Sequence, residues 1–113
     1  SHDALGYFAR RYGIDVIGTV IPARSTLAQP SAGEVTRLVD TIRAAGVRTI
    51  FAESSVNPVV EEAIAREAGA RVGPPLFADS LPEGGSYIDS ILANTRALVE
   101  GFTGRRAECD LDA

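Results

Sequence analysis

Four side chains in this sequence have the chemistry to hold an ion or move a proton: His2, Asp3, Glu53 and Asp79. One imidazole nitrogen set beside carboxylate oxygens is a donor set that suits zinc, or manganese where oxygen ligands dominate. Their spacing forms no HxxxH or HExxH pattern, so no local motif specifies a metal site. Each residue also has a plainer role. His2 can be solvated or cap the first helix, and Asp3 can complement the helix dipole. Glu53 can accept N–H bonds from the loop it opens, and Asp79 can close an Asx turn. A helix N-terminus keeps a nearby imidazole neutral, with its lone pair available, yet it disfavours a cation as well, which Asp79 would have to offset.

Other reactions find less support. GxGxxG and GxxxxGK[ST] are absent, and Gly84-Gly85 alone is too little for a phosphate loop. No serine sits in a GxSxG elbow, and His2 is the only histidine to serve as its base. A hydrolase using zinc-bound hydroxide would need Glu53 as its general base. The chain therefore reads as a binding protein and not an enzyme. The single thiol, Cys109, excludes an internal disulfide and a cysteine metal cluster. A net charge of −4 gives no electrostatic reason to expect nucleic acid or an anionic membrane as partner. No apolar run approaches the ~20 residues that span a bilayer. No signal peptide opens the sequence, so a secreted origin implies prior processing or truncation.

Stepping through the 113 residues, helix and strand patterns alternate. Leu5, Phe8, Ala9 and Tyr12 form one helical stripe that ends at Gly13. Asp15–Ile21 is β-branched and reads as a buried strand stopped by Pro22, with a loop to Pro30. Ser31 and Glu34 form a capping-box pattern ahead of a helix carrying Val35, Leu38, Val39 and Ile42, closed by Gly46. Val47–Ala52 is the next strand, ending at Glu53. Asn57 is expected to cap, and Pro58 to open, a helix with Val60, Ala63, Ile64 and Ala68. Ala70–Gly73 is a short strand leading into Pro74–Ser90 and Asp79. Ser86 caps the longest helix, whose expected buried face is Ile88, Ile91, Leu92, Thr95, Leu98, Val99 and Phe102. Residues 1–102 form one domain on this reading, and 103–113 a flexible tail.

The fold expected is α/β, a parallel sheet of three to four strands flanked by helices with right-handed crossovers. Loops 22–30, 53–57 and 74–85 all leave strand carboxyl ends, the edge where open α/β sheets bind ligands. Glu53 and Asp79 both fall on that edge.

The run His2-Asp3-Ala4-Leu5-Gly6-Tyr7-Phe8 followed by Tyr12-Gly13 resembles the opening of the C-terminal lobe of cluster A-I solute-binding proteins, the zinc and manganese receptors of bacterial ABC importers. The resemblance continues through Gln29-Pro30-Ser31-Ala32, Ile50-Phe51-Ala52-Glu53, Asn57-Pro58, Asp79-Ser80-Leu81 and Gly85-Ser86-Tyr87-Ile88, over about residues 1–101. It implies one lobe of a two-lobed protein that holds a single metal between lobes, with two ligands from each. His2 and Asp79 are the pair it assigns here, and histidine at the first position is the zinc-type choice over manganese. Glu53 would lie beside the metal, orienting a ligand or lending an oxygen. The resemblance further implies an ABC permease as partner and a periplasmic or extracellular, lipid-anchored setting. The N-terminal lobe supplying the other ligands is absent from this sequence, as is the strand expected immediately before Ser1. That lack predicts an incomplete metal shell, unpaired strand edges, and association with another copy or another piece of chain. The alternative is an α/β interaction module in which His2 and Asp79 are structural.

Overall fold

Residues 4–20 and 30–106 are described in a computed structural model. Local sequence accounts for where the helices start and stop. Helix α1 (Gly6–Tyr12) ends at Gly13, which takes the left-handed conformation with φ 66°. Helix α2 (Ala32–Ala45) opens with the expected reciprocal box. The Ser31 hydroxyl accepts from the Glu34 N–H at 3.3 Å, and Glu34 Oε2 accepts from the Ser31 N–H at 2.7 Å. Helix α3 (Val59–Ala68) differs slightly from expectation. Pro58 occupies the cap position itself, while Asn57 Oδ1 accepts from the Val59 N–H at 3.3 Å. Helix α4 (Tyr87–Thr103) opens with a second reciprocal box, Ser86 with Asp89. It runs one residue past the expected domain limit at 102, and Cys109 lies outside the described residues.

Between these helices, strands β1 (Thr49–Ile50) and β2 (Arg71–Val72) form a parallel pair. Thr49 faces Arg71 and Ile50 faces Val72, and a further bridge joins Glu53 to Leu76. Had the register held, Glu53 would face Pro75. One extra residue is therefore taken up across Gly73-Pro74-Pro75, where neither proline has an N–H to donate. Pairing resumes where the Leu76 N–H reaches the Ala52 carbonyl and the Ser54 N–H reaches the Leu76 carbonyl, both at 2.8 Å.

Alternation along β1 divides the helices between two faces. Ile50 joins the core of Val39, Ile42 and Ile64 that α2 and α3 build on one side. Thr49 and Phe51 point to α4 on the other. The Thr49 hydroxyl donates to the Gly101 carbonyl at 2.7 Å, and Arg71 Nη2 reaches that same carbonyl at 3.0 Å. α1 lies on the α4 face, sharing with it a groove lined by Phe8, Arg11, Tyr12, Ile88 and Ile91.

Two expectations are corrected. Asp15–Val20 forms no strand pairing among the described residues, and Val16 and Ile17 are 52% and 44% exposed; Ile21 lies outside them. The sheet among the described residues thus has two strands, fewer than the three to four expected. The buried positions of α4 are Ser90, Asn94, Ala97 and Gly101. Ile88, Val99 and Phe102, expected inside, are exposed. Small residues win the sheet-facing side because the helix lies so close: a Cβ on Gly101 would sit 2.4 Å from the Phe51 ring.

Two measurements check this account. Gly101→Ala should lower stability by about 1 kcal/mol net, overpacking outweighing the helix-propensity gain. Gly33→Ala, which meets nothing within 4 Å, should be neutral or stabilising. Denaturant midpoints for the two variants decide it. The Ser31 hydroxyl and then its N–H hold the Glu34 carboxyl below its ordinary range, and the Ser86 N–H and then its hydroxyl do the same for Asp89. A depressed folded value means stability present above the ordinary carboxylate range and lost as pH falls through the folded value. Acid titration of helicity should show that loss, and a Ser31→Ala/Ser86→Ala double variant should flatten it.

Candidate metal centre

The parallel ladder carries Glu53 and the Asp79 loop to one end of the sheet. Glu53 closes β1 with only 3% of its surface exposed, its backbone bridged to Leu76. The Ser55 hydroxyl lies 3.4 Å from Glu53 Oε1, and the Glu53 carbonyl accepts from the Val56 N–H at 3.1 Å. The loop N–H is thus met by the backbone carbonyl of Glu53, whereas its carboxylate, read from sequence as the acceptor, takes the Ser55 hydroxyl. Buried carboxylates are ordinarily partnered, and here the Ser55 hydroxyl donates to Oε1.

Asp79 follows three residues after the Glu53–Leu76 bridge, on an exposed bend. Two devices hold its loop. On one side, the Ser54 and Ser80 hydroxyls meet at 2.9 Å and tie it to the loop that leaves β1. On the other, Asn94 grips the backbone two residues earlier. Its Oδ1 accepts from the Phe77 N–H at 2.7 Å, and its Nδ2 donates to the Phe77 carbonyl at 2.8 Å. Asn94 is 2% exposed in the middle of α4, so both of its amide ends are used where water is scarce. Sequence reasoning passed over Asn94, Ser54 and Ser80. The readable signal was a single amide on the face of α4 that carries only small residues.

His2 and Asp3 lie outside the described residues. Of the four candidates, Glu53 and Asp79 are brought to the same rim. Among the described residues, no group of three or more His, Cys, Asp or Glu side chains is gathered to hold an ion. What the described rim offers is a buried carboxylate, an exposed carboxylate on a braced loop, and the hydroxyls of Ser54, Ser55 and Ser80. All are oxygen donors, so any nitrogen ligand must come from elsewhere.

Removing the amide tests the bracing. Asn94→Leu leaves the Phe77 N–H and carbonyl without their partner and should cost on the order of 2–3 kcal/mol. Amide exchange should quicken from Phe77 to Ser80 more than in α2 and α3. Uniform quickening would mean that Asn94 serves only the core.

Comparison with known proteins places these features in context. The family described as "Zinc-uptake complex component A periplasmic" matches residues 1–101. The zinc-binding protein TroA of Treponema pallidum is 32% identical over 108 residues, covering 88% of this chain and 34% of that protein. The manganese-binding lipoprotein MntA of Halalkalibacterium halodurans is 25% identical over 107 residues, 91% of this chain and 35% of the relative. In structure, the chain is similar to the laminin-binding protein Lmb of Streptococcus agalactiae, described as bifunctional with adhesin and metal transporting activity. That likeness has a TM-score of 0.78 at 32% identity, over 90% of this chain and 39% of that one. The chain thus spans about a third of the length of the curated relatives it matches.

Proposed function

The chain belongs to the zinc-uptake component A family, a family of transport receptors and not of enzymes, and from that premise we propose that it forms the C-terminal metal-binding lobe of a receptor for an ABC importer. The observation that carries the reading is the shared rim. Two adjacent parallel strands end there in Glu53 and in the braced Asp79 loop. That is the edge at which α/β sheets present groups to ligands.

In this reading His2 and Asp79 are the ligands this lobe gives to the metal. Imidazole supplies a borderline-soft nitrogen and Asp79 a hard oxygen, a mixed pair that favours zinc over manganese. Glu53, buried at the end of β1, can orient a ligand or lend an oxygen. Two ligands leave a four-coordinate ion half filled, so the remaining two come from a second lobe and the ion is held between them. The work is capture: the lobes take the metal out of water and hand it to a membrane permease. A periplasmic or lipid-anchored location follows from that role. No helix among the described residues is long and apolar enough to cross a membrane.

Titration calorimetry on the complete two-lobed protein tests the assignment. His2→Ala and Asp79→Ala should each weaken zinc binding by at least about a hundredfold, and Glu53→Gln by about tenfold. The 113-residue chain alone should bind zinc far more weakly than the complete protein. Unchanged affinity in the first two variants would retire both ligands, and nanomolar binding by the isolated monomer would retire the shared site.

A further inference from the structure

Pairing with β1 ends at Leu76, three residues before Asp79. Leu76 directs both of its main-chain groups to β1. Its N–H donates to the Ala52 carbonyl, and its carbonyl accepts from the Ser54 N–H. Successive residues of an extended chain turn these groups to opposite neighbours, so those of Phe77 face away from β1. They meet α4 instead of another strand. Asn94 Oδ1 accepts from the Phe77 N–H at 2.7 Å, and Nδ2 donates to the Phe77 carbonyl at 2.8 Å. One planar amide supplies both an acceptor and a donor, as a strand neighbour does.

Asn94 can hold this loop because α4 is itself fixed to the sheet. The Gly101 carbonyl accepts from the Thr49 hydroxyl at 2.7 Å and from Arg71 Nη2 at 3.0 Å. Gly101 follows Asn94 by seven residues, about two turns, so both contacts fall on one face of the helix. Strand β1 thus reaches the Asp79 loop by two routes, directly through Leu76 and indirectly through Thr49, α4 and Asn94. Beyond Asp79, the Ser80 hydroxyl meets that of Ser54 at 2.9 Å. Asp79 therefore lies between two tied positions, Phe77 and Ser80. The ties differ in strength. Asn94 is 2% exposed, where lost polar pairing is costly, whereas Ser54 is exposed and its hydroxyl bond competes with water.

We infer that Asn94 is a positioning residue for metal capture: it holds the loop so that the Asp79 carboxylate stands ready for the ion, while its own amide stays committed to Phe77. The inference rests on the assignment of Asp79 as a ligand. A carboxylate on a loose loop must be ordered as the metal binds, and that ordering subtracts from affinity. The buried amide does the ordering beforehand. Its loss acts on how long zinc stays bound more than on how fast it arrives, as is usual among variants of one binding site.

The test follows zinc leaving the complete two-lobed protein after mixing with excess chelator. Asn94→Leu should speed release at least about tenfold, with the association rate within about twofold of the parent. Ala97→Gly weakens the same buried face of α4 without touching the loop, and should leave release within about twofold. Asn94→Gln keeps the amide but displaces it by one methylene; it is the milder variant should Leu prevent folding, and should speed release about threefold. On an Asp79→Ala background, Asn94→Leu should weaken the residual zinc affinity no further, because the contact it serves is gone. Release unchanged in both Asn94 variants, with Asp79→Ala weakened, would overturn the inference and leave the ligand assignment standing. Equal acceleration by Ala97→Gly would also overturn it, reducing Asn94 to a support for α4. Unchanged affinity in Asp79→Ala would remove the assignment and the inference together.

Discussion

The parallel pairing of β1 with β2, and the single residue by which its register shifts, is the constraint on which the other features depend. Pairing at Thr49–Arg71 sends Ile50 into the α2–α3 core and leaves Thr49 and Phe51 for α4. Because the prolines at 74 and 75 cannot donate, the second strand takes up one residue before meeting β1 again at Glu53. That slip turns Leu76 inward, at 6% exposure. An unshifted ladder would set Pro75 opposite Glu53 and displace the following loop by a residue. The position of Asp79 relative to Glu53 thus follows from two imino rings several residues earlier.

Helix α4 is held to this sheet by contacts that only small and polar residues can make. Gly101 lets the Phe51 ring approach, and its carbonyl receives both Thr49 and Arg71. Seven residues earlier, Asn94 bonds both the N–H and the carbonyl of Phe77, as a neighbouring strand would. The larger apolar side chains of α4 are left on its flank, where they line the two grooves beside α1. An exposed Phe102 beside a buried Gly101 looks inverted until the groove next to it is considered.

Much of the fold was legible because helix boundaries are local chemistry. Ser31 with Glu34, Ser86, and the glycines at 13, 46 and 69 each mark an end that the structure keeps. The strand at Asp15–Ile21 was read from β-branched residues alone. Strand formation needs a partner that no single segment supplies, and among the described residues Asp15–Val20 has none. The face of α4 was misjudged for a related reason: periodicity counts apolar residues, whereas close helix–sheet approach selects small ones. At the rim, the carboxylates were found from their place after strands, but Asn94, Ser54 and Ser80 were not, since their partners lie 17 and 26 residues away.

The groove and the rim share the end of β1, where Phe51 and Ala52 lead to Glu53. Open α/β sheets bind ligands where the direction of strand order reverses, because adjacent loops there part toward opposite faces. In this chain α1 and α2 occupy opposite faces of the sheet. Glu53 ends β1 at the rim, beside the loop that carries Asp79. The β1–β2 ladder fixes Glu53 against the Asp79 loop. Metal bound across the rim would in turn favour the paired state, because whatever binds only the ordered form stabilises it. Order at the rim and affinity for an ion would then be linked quantities, with the β1–β2 ladder their common support.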